Sequence, residues 1–234
     1  METVYNTVVE THLTLTATCY ALGYLAGLAA FVWMARRRKL ATTGMMAVMG
    51  AGLVGGLLGA NLAQWAFGGI LGKTVLGGIA GGYLTVILYK RHLGIKRSTG
   101  DLFAVAVSAG EAVGRWGCFY GGCCYGTACD VPWGVSQHGA FRHPTQLYLS
   151  GANALIFLVL WRLDTKHPPE NTLFYTQGVL YCAARFVIEF FRETPPPVWG
   201  LSLAQWACVA GFMFFALQLT RLLRPSKPIG AAYG

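Results

Sequence analysis

Two arginine–glutamate pairs carry the clearest chemical potential in this sequence. Glu111 and Arg115 stand four residues apart in Gly-Glu-Ala-Val-Gly-Arg-Trp-Gly-Cys. Arg185 and Glu189 repeat that spacing in Ala-Ala-Arg-Phe-Val-Ile-Glu-Phe-Phe-Arg. Both pairs fall inside apolar stretches. An ionisable group there costs several kcal/mol unless it is paired or reaches water. A guanidinium offers a planar fork to phosphate oxygens, so two of them on different helices could grip one phosphate. The plainer reading is that each arginine pairs with its own glutamate and ties helices together.

Sulfur makes the second constellation. Cys118, Cys123, Cys124 and Cys129 lie within twelve residues, and His138 and His143 follow. A metal site is one reading, although the Cys-x4-Cys-Cys-x4-Cys spacing matches no common structural zinc pattern well and no residue is assigned as a ligand. Two other readings stay open: a structural disulfide in an oxidising compartment, or a reactive thiol activated near Arg115 or a histidine. His143, in Arg-His-Pro-Thr-Gln-Leu-Tyr, could act as an acid or base, or simply fix the loop by hydrogen bonding. Gln146 and Tyr148 place polar groups just inside the membrane, suited to a lipid headgroup or to helix contacts. Cys19, Cys182 and Cys208 read as core packing.

These residues need elements to hold them, and composition says which. Hydrophobic residues make up 55% of the chain and charged ones only 12%, with a mean hydropathy of +0.49. A soluble domain carries about a quarter charged residues. Helices are expected, because lipid cannot satisfy open backbone amides. Seven apolar segments emerge: Leu13–Met34, Ala41–Phe67, Ile70–Tyr89, Leu102–Phe119, Gln146–Trp161, Leu173–Phe191 and Leu201–Leu222. Basic clusters follow the first, third, fifth and seventh: Arg36 to Lys39, Lys90 to Arg97, Arg162 with Lys166, and Arg221 to Lys227. Thirteen of the 18 basic residues thus share one side if the spans alternate. By the positive-inside rule that side is cytoplasmic, the N-terminus is outside and the C-terminus inside. The net charge of +9 therefore reports topology, and no nucleic-acid partner is expected. The remaining basic residues, Lys73, Arg115, Arg142, Arg185 and Arg192, all gather near the outer side. The expected fold is all-α: a single polytopic membrane domain over residues 1–234 with about seven transmembrane helices. Residues 120–142 form its cysteine-rich extracytoplasmic loop. The acidic N-terminus does not read as a signal peptide. The run Gly77 to Gly82 in the third segment reads as close helix packing, or as a lateral opening for an acyl chain.

Taken together, these segments resemble the prolipoprotein diacylglyceryl transferase family. Gly114-Arg115-Trp116-Gly117-Cys118-Phe119, leading to Gly126, is similar to the family's Gly-Arg-x-Gly-Asn-Phe…Gly. Arg142-His143-Pro144-Thr145-Gln146-Leu147-Tyr148 resembles Arg-His-Pro-Ser-Gln-Leu-Tyr. The Arg185 to Arg192 segment is close to Arg-x-x-x-Glu-Phe-x-Arg. Tyr20-Ala21-Leu22-Gly23-Tyr24-Leu25-Ala26-Gly27 resembles Tyr-Gly-x-x-Tyr-x-x-Gly. The resemblance implies a bacterial inner-membrane enzyme that moves diacylglycerol from phosphatidylglycerol to a lipobox cysteine thiol and releases glycerol phosphate. It implies that Arg115 and Arg185 hold the anionic headgroup and that Tyr20 lines the same cavity, with Glu111, Glu189, Gly126, Gln146 and Tyr148 around it.

The departures are specific. The family's span-three His-Gly-Gly, whose histidine is proposed as general base, is matched here by Ala80-Gly81-Gly82. Its asparagine is Cys118, and its acidic residue before the closing glycine falls among those replaced by Cys123 and Cys124. The glutamate after the tyrosine is Leu149. The candidate catalytic residues are therefore Cys118, Cys123, Cys124, His143 and, as a replacement base, Lys73. A monomer acting on an anionic phospholipid and a thiol-bearing acceptor is expected, with no cofactor. The competing reading is a thiol-based redox, soft-metal or small-ligand protein on the same scaffold.

Overall fold

The computed structural model describes residues 2–66, 75–194 and 199–224. Among them the chain forms seven helices and one short hairpin: α1 (Glu2–Arg37), α2 (Thr43–Ala66), α3 (Val75–His92), α4 (Gly100–Tyr120), β1 (Val135–Gln137), β2 (Ala140–Arg142), α5 (Thr145–Asp164), α6 (Thr172–Glu189) and α7 (Leu203–Leu223). The described part of each apolar segment read from the sequence lies mostly on one helix, with residues 67 and 70–74 of the second and third segments outside the described residues. Four helices are long and apolar enough to cross a membrane: His12–Arg37 within α1, Thr43–Leu62 within α2, and the whole of α5 and α7. Glycines and two basic residues lower the hydropathy of α3, and buried charges lower that of α4 and α6.

The chain divides into two compact units, residues 31–99 and residues 1–30 with 100–234. In the first, α2 and α3 meet backbone to backbone. A Cβ at Gly59 would lie 2.3 Å from the Gly77 carbonyl oxygen, and one at Gly81 would lie 2.4 Å from that of Gly55. Small residues permit this approach in lipid, where helices associate by close packing rather than by a hydrophobic drive. The Gly77 to Gly82 run thus forms the packing seam, one of the two roles expected from the sequence.

The second unit joins the start of α1 to α4, α5, α6 and α7. Here too a glycine seam appears, since a Cβ at Gly23 would stand 2.8 Å from Gly114 Cα. Asp101, buried at the start of α4, accepts the backbone amides of Asn171 and Phe174 at 3.0 Å each. A carboxylate at that position satisfies open amides at the start of α6 and faces the positive end of its dipole. At the other end of α6, Ser202 caps α7 in a capping box with Gln205 and donates its hydroxyl to Glu189 Oε1 at 3.2 Å. The polar end of α6 is thus tied to the start of α7.

Candidate functional site

The polar site is built in the second unit, where α4 and α6 end and the loop between α4 and α5 begins. Arg115 lies one helical turn past Glu111, and its Nε and Nη2 atoms both reach Glu111 Oε2 at 2.8 Å. On α6, Arg185 Nη1 stands 2.6 Å from Glu189 Oε2, and Arg192 Nη1 approaches the same oxygen at 3.8 Å. The Glu189 side chain is only 3% exposed. One buried carboxylate therefore serves two guanidinium groups, leaving a net positive charge at the end of α6. Tyr181, one turn before Arg185, feels both Arg115 and Arg185 as well as Glu111, so the two arginine helices share this phenol. The i, i+4 pairing expected from the sequence is present in both helices, and the two arginines converge on a common neighbour. Tyr181 was not singled out from the sequence, although its place four residues before Arg185 was the available signal.

The loop is more ordered than its sequence announces. β1 and β2 form an antiparallel hairpin closed by His138 (φ 51°) and Gly139 (φ 76°). Two successive positive φ values give the turn hand that suits a twisted two-residue hairpin. Residues 126–129 run beside β2 and the end of α6. The Gly126 amide donates to the His143 carbonyl at 3.1 Å, and the Thr127 amide donates to the Phe191 carbonyl at 2.9 Å. A Cβ at Gly126 would fall 2.4 Å from the His143 oxygen and 2.6 Å from the Phe191 oxygen, so only glycine fits there. Arg142 clasps this assembly. It donates to the carbonyls of Gln137 (3.1 Å) and Gly126 (3.2 Å), lies over the Tyr125 ring at 4.9 Å, and pairs with Glu193. His138 packs its ring against Tyr125 and meets the Gly122 carbonyl at 2.7 Å.

His143 and Tyr148 are neighbours, with Nδ1 and the phenol oxygen 3.1 Å apart, and Trp133 donates its indole N–H to the same oxygen at 2.7 Å. The His143 ring also packs on Phe191 at 5.1 Å. Gln146 is buried and donates its amide to the Cys123 carbonyl at 2.8 Å, while Thr145 donates to the Cys124 carbonyl at 2.7 Å. The start of α5 thereby holds the two adjacent cysteines by their backbone.

The sulfur atoms of Cys118, Cys123 and Cys124 lie within 4.8 Å of one another. Cys129 does not join this group among the described residues, and its amide instead bonds the Phe141 carbonyl. All seven cysteines carry free thiols. Tyr20 donates its hydroxyl to Cys118 Sγ at 3.4 Å, which brings α1 to the sulfur cluster. The Cys124 thiol is held well below its usual range. It accepts from the Cys118 and Cys123 thiols, with Arg192 and Arg115 adding positive charge against the opposing effect of burial. Cys123 is pushed the other way, because it donates to Cys118 and Cys124 and is partly buried. Within the cluster, hydrogen bonding and the charge of Arg192 and Arg115 thus favour the thiolate at Cys124 over that at Cys123. Lys73 lies outside the described residues. Ala80 lies in α3, in the unit of residues 31–99.

The profile of the prolipoprotein diacylglyceryl transferase family matches residues 7–221. The chain belongs to that family. Among curated members, the phosphatidylglycerol–prolipoprotein diacylglyceryl transferase of Campylobacter lari is 38% identical over 126 residues, 53% of this chain and 41% of that protein. The enzyme of the same name from Geobacter sulfurreducens is 34% identical over 160 residues, 63% of this chain and 60% of that protein. The one from Aromatoleum aromaticum is 34% identical over 145 residues, 55% of each. The chain spans about half the length of the curated relatives it matches. Within this diacylglyceryl transferase family member, both arginine helices, the loop glycine Gly126 and the His143 segment all lie inside the matched range.

Proposed function

We propose that this protein is a membrane transferase that moves the diacylglyceryl group of phosphatidylglycerol to a thiol acceptor, of the kind presented by a lipobox cysteine. The observation that carries the reading is the family match over residues 7–221, which takes in both arginine helices. In this reading the chain crosses a bacterial inner membrane seven times, with the N-terminus outside and the C-terminus in the cytoplasm, as the alternation of basic clusters supports. Residues 1–234 act as one transmembrane domain, a monomer, with residues 120–142 as the extracytoplasmic loop.

Arg115 and Arg185 bind the headgroup phosphate. Their glutamates, Glu111 and Glu189, keep each guanidinium charged and oriented in a low-dielectric setting until substrate arrives. Tyr20, Gln146, Tyr148 and Gly126 shape the cavity beside them. An apolar groove of about 310 Å³ lined by Ala26, Ala109, Ala112, Val113, Ala154 and Phe157 suits an acyl chain. In the reaction the acceptor thiolate attacks the carbon of the diacylglyceryl group that is bonded to phosphate oxygen. A C–S bond forms, the C–O bond breaks, and glycerol phosphate leaves with the electron pair, its developing charge met by the two guanidinium groups. The acceptor thiol's proton goes to a base of this chain. Lys73 and His143 are the candidates for that base; the Cys124 thiol, held well below its usual range, is too weakly basic to take a proton from an ordinary thiol. The three cysteines do not carry the lipid themselves, because a thioether formed on any of them would have no good leaving group for a second transfer.

The test is to incubate purified protein with headgroup-labelled phosphatidylglycerol and a lipobox peptide, following release and adduct formation by mass spectrometry. Glycerol phosphate release with a diacylglyceryl adduct on the peptide is expected. Folded, reduced protein that gives neither would overturn the proposal.

A further inference from the structure

We propose that Cys118, Cys123 and Cys124 form a three-coordinate binding site for a soft monovalent cation of the copper(I) type. Three sulfur atoms from the end of α4 and the turn that follows it lie within 4.8 Å of one another. Thiolates bound at about 2.3 Å around one ion in a trigonal plane stand about 4 Å apart. Closing the cluster on an ion therefore asks for side-chain movements below roughly 1 Å.

The backbone is already arranged for that closure. The chain reverses at Gly122 (φ 63°), and the Cys123 amide returns to the Cys118 carbonyl at 3.1 Å. Cys124 adopts φ 60°, a left-handed conformation that a cysteine takes only at some cost. Thr145 and Gln146, both buried, bond the Cys124 and Cys123 carbonyls and hold that conformation in place. Two cysteines fixed through their carbonyls by buried side chains, and a third carried by α4, make a prepared cluster rather than a chance meeting on a surface.

The donor set selects the ion. Sulfur alone favours a soft cation over magnesium or calcium. Zinc asks for four ligands, and among the described residues no fourth histidine, cysteine or carboxylate joins the group. The nearby His138 is committed to the Gly122 carbonyl at 2.7 Å. Copper(I) is satisfied by three sulfurs. Three thiolates around one monovalent ion leave a charge of −2, and Arg115 and Arg192, which both act electrostatically on Cys124, offset it. Binding releases one proton to solvent from each thiol that was protonated beforehand, and no redox step is involved.

This site does not rest on the transferase reading, and its readout is metal content rather than turnover. The full chain in detergent, reduced and kept free of oxygen, is titrated with copper(I) against a competing chelator, followed by X-ray absorption. One equivalent is expected, with three sulfur neighbours at about 2.3 Å. Cys118→Ser, Cys123→Ser and Cys124→Ser should each weaken uptake on the order of 100-fold, at least the loss that even an outer-shell change can cause. Cys129→Ser should leave it unchanged. Wild-type protein that takes up no more copper(I) than the triple serine variant would overturn the proposal. So would a two-coordinate absorption signature, or zinc held more tightly than copper(I) in the same titration. The wild-type spectrum keeps the test decisive even if a serine variant fails to fold.

Discussion

Residues 31–99 and residues 100–224 solve the same problem, joining helices in an apolar chain, with different chemistry. In the first region α2 and α3 meet over glycines, and their charged residues cluster at the helix ends. In the second region α4 and α6 carry Glu111, Arg115, Arg185 and Glu189 within the helices themselves. Packing alone needs only the first arrangement. Buried ion pairs add little net stability, because desolvation offsets attraction. Helices α2 and α3 carry no acidic residue that could form such a pair, and the proposed chemistry sits with the pairs of α4 and α6.

Breaking the buried charge cluster should have the largest effect. Glu189→Ala strips Arg185 and Arg192 of their shared carboxylate and should lower stability by about 3–5 kcal/mol, measured as unfolding in detergent. An unchanged unfolding midpoint would mean that the cluster reaches water freely. Next come two matched glycine changes that set the regions against each other. Gly81→Ala and Gly126→Ala each push a Cβ to 2.4 Å from a carbonyl oxygen. Each should cost about 1–3 kcal/mol, as overpacking does. Their effects on turnover should diverge: Gly126→Ala displaces the strand between His143 and Phe191 and should slow the folded protein, whereas folded Gly81→Ala should keep most of its rate. Equal losses of turnover would erase the distinction between scaffold and site. The smallest effect belongs to Glu193→Ala. That side chain is 51% exposed, and Arg142 keeps two carbonyl partners without it. A change below about 1 kcal/mol is expected from thermal unfolding; a larger one would make the Arg142 clasp a principal support of the loop.

The helices were legible because an apolar run of about 20 residues has few other uses. The two Arg–Glu pairs were legible because four-residue spacing on a helix fixes adjacency. The loop was not. Its hairpin turns on His138-Gly139, which lacks the usual Asn-Gly or Asp-Gly signature. Arg142 and Glu193 pair across fifty residues that sequence spacing cannot connect. The sulfur group was half legible: four cysteines in a row of twelve residues announced a cluster, but the turn at Gly122 and the capture of Cys129 by Phe141 reduce it to three. Tyr181 was readable in principle, one turn before Arg185, and went unread because a lone tyrosine in a span ordinarily packs.

The central claim is that Arg115 and Arg185 act together on one phosphate. The most direct test is the initial rate of glycerol phosphate release by Arg115→Ala and Arg185→Ala, each compared with wild type at equal folded concentration. Either change alone should lower the rate on the order of 100-fold or more, the scale of losing one charge-stabilising donor in a transition state. Full turnover in both variants would contradict it, and would leave the two ion pairs as helix ties.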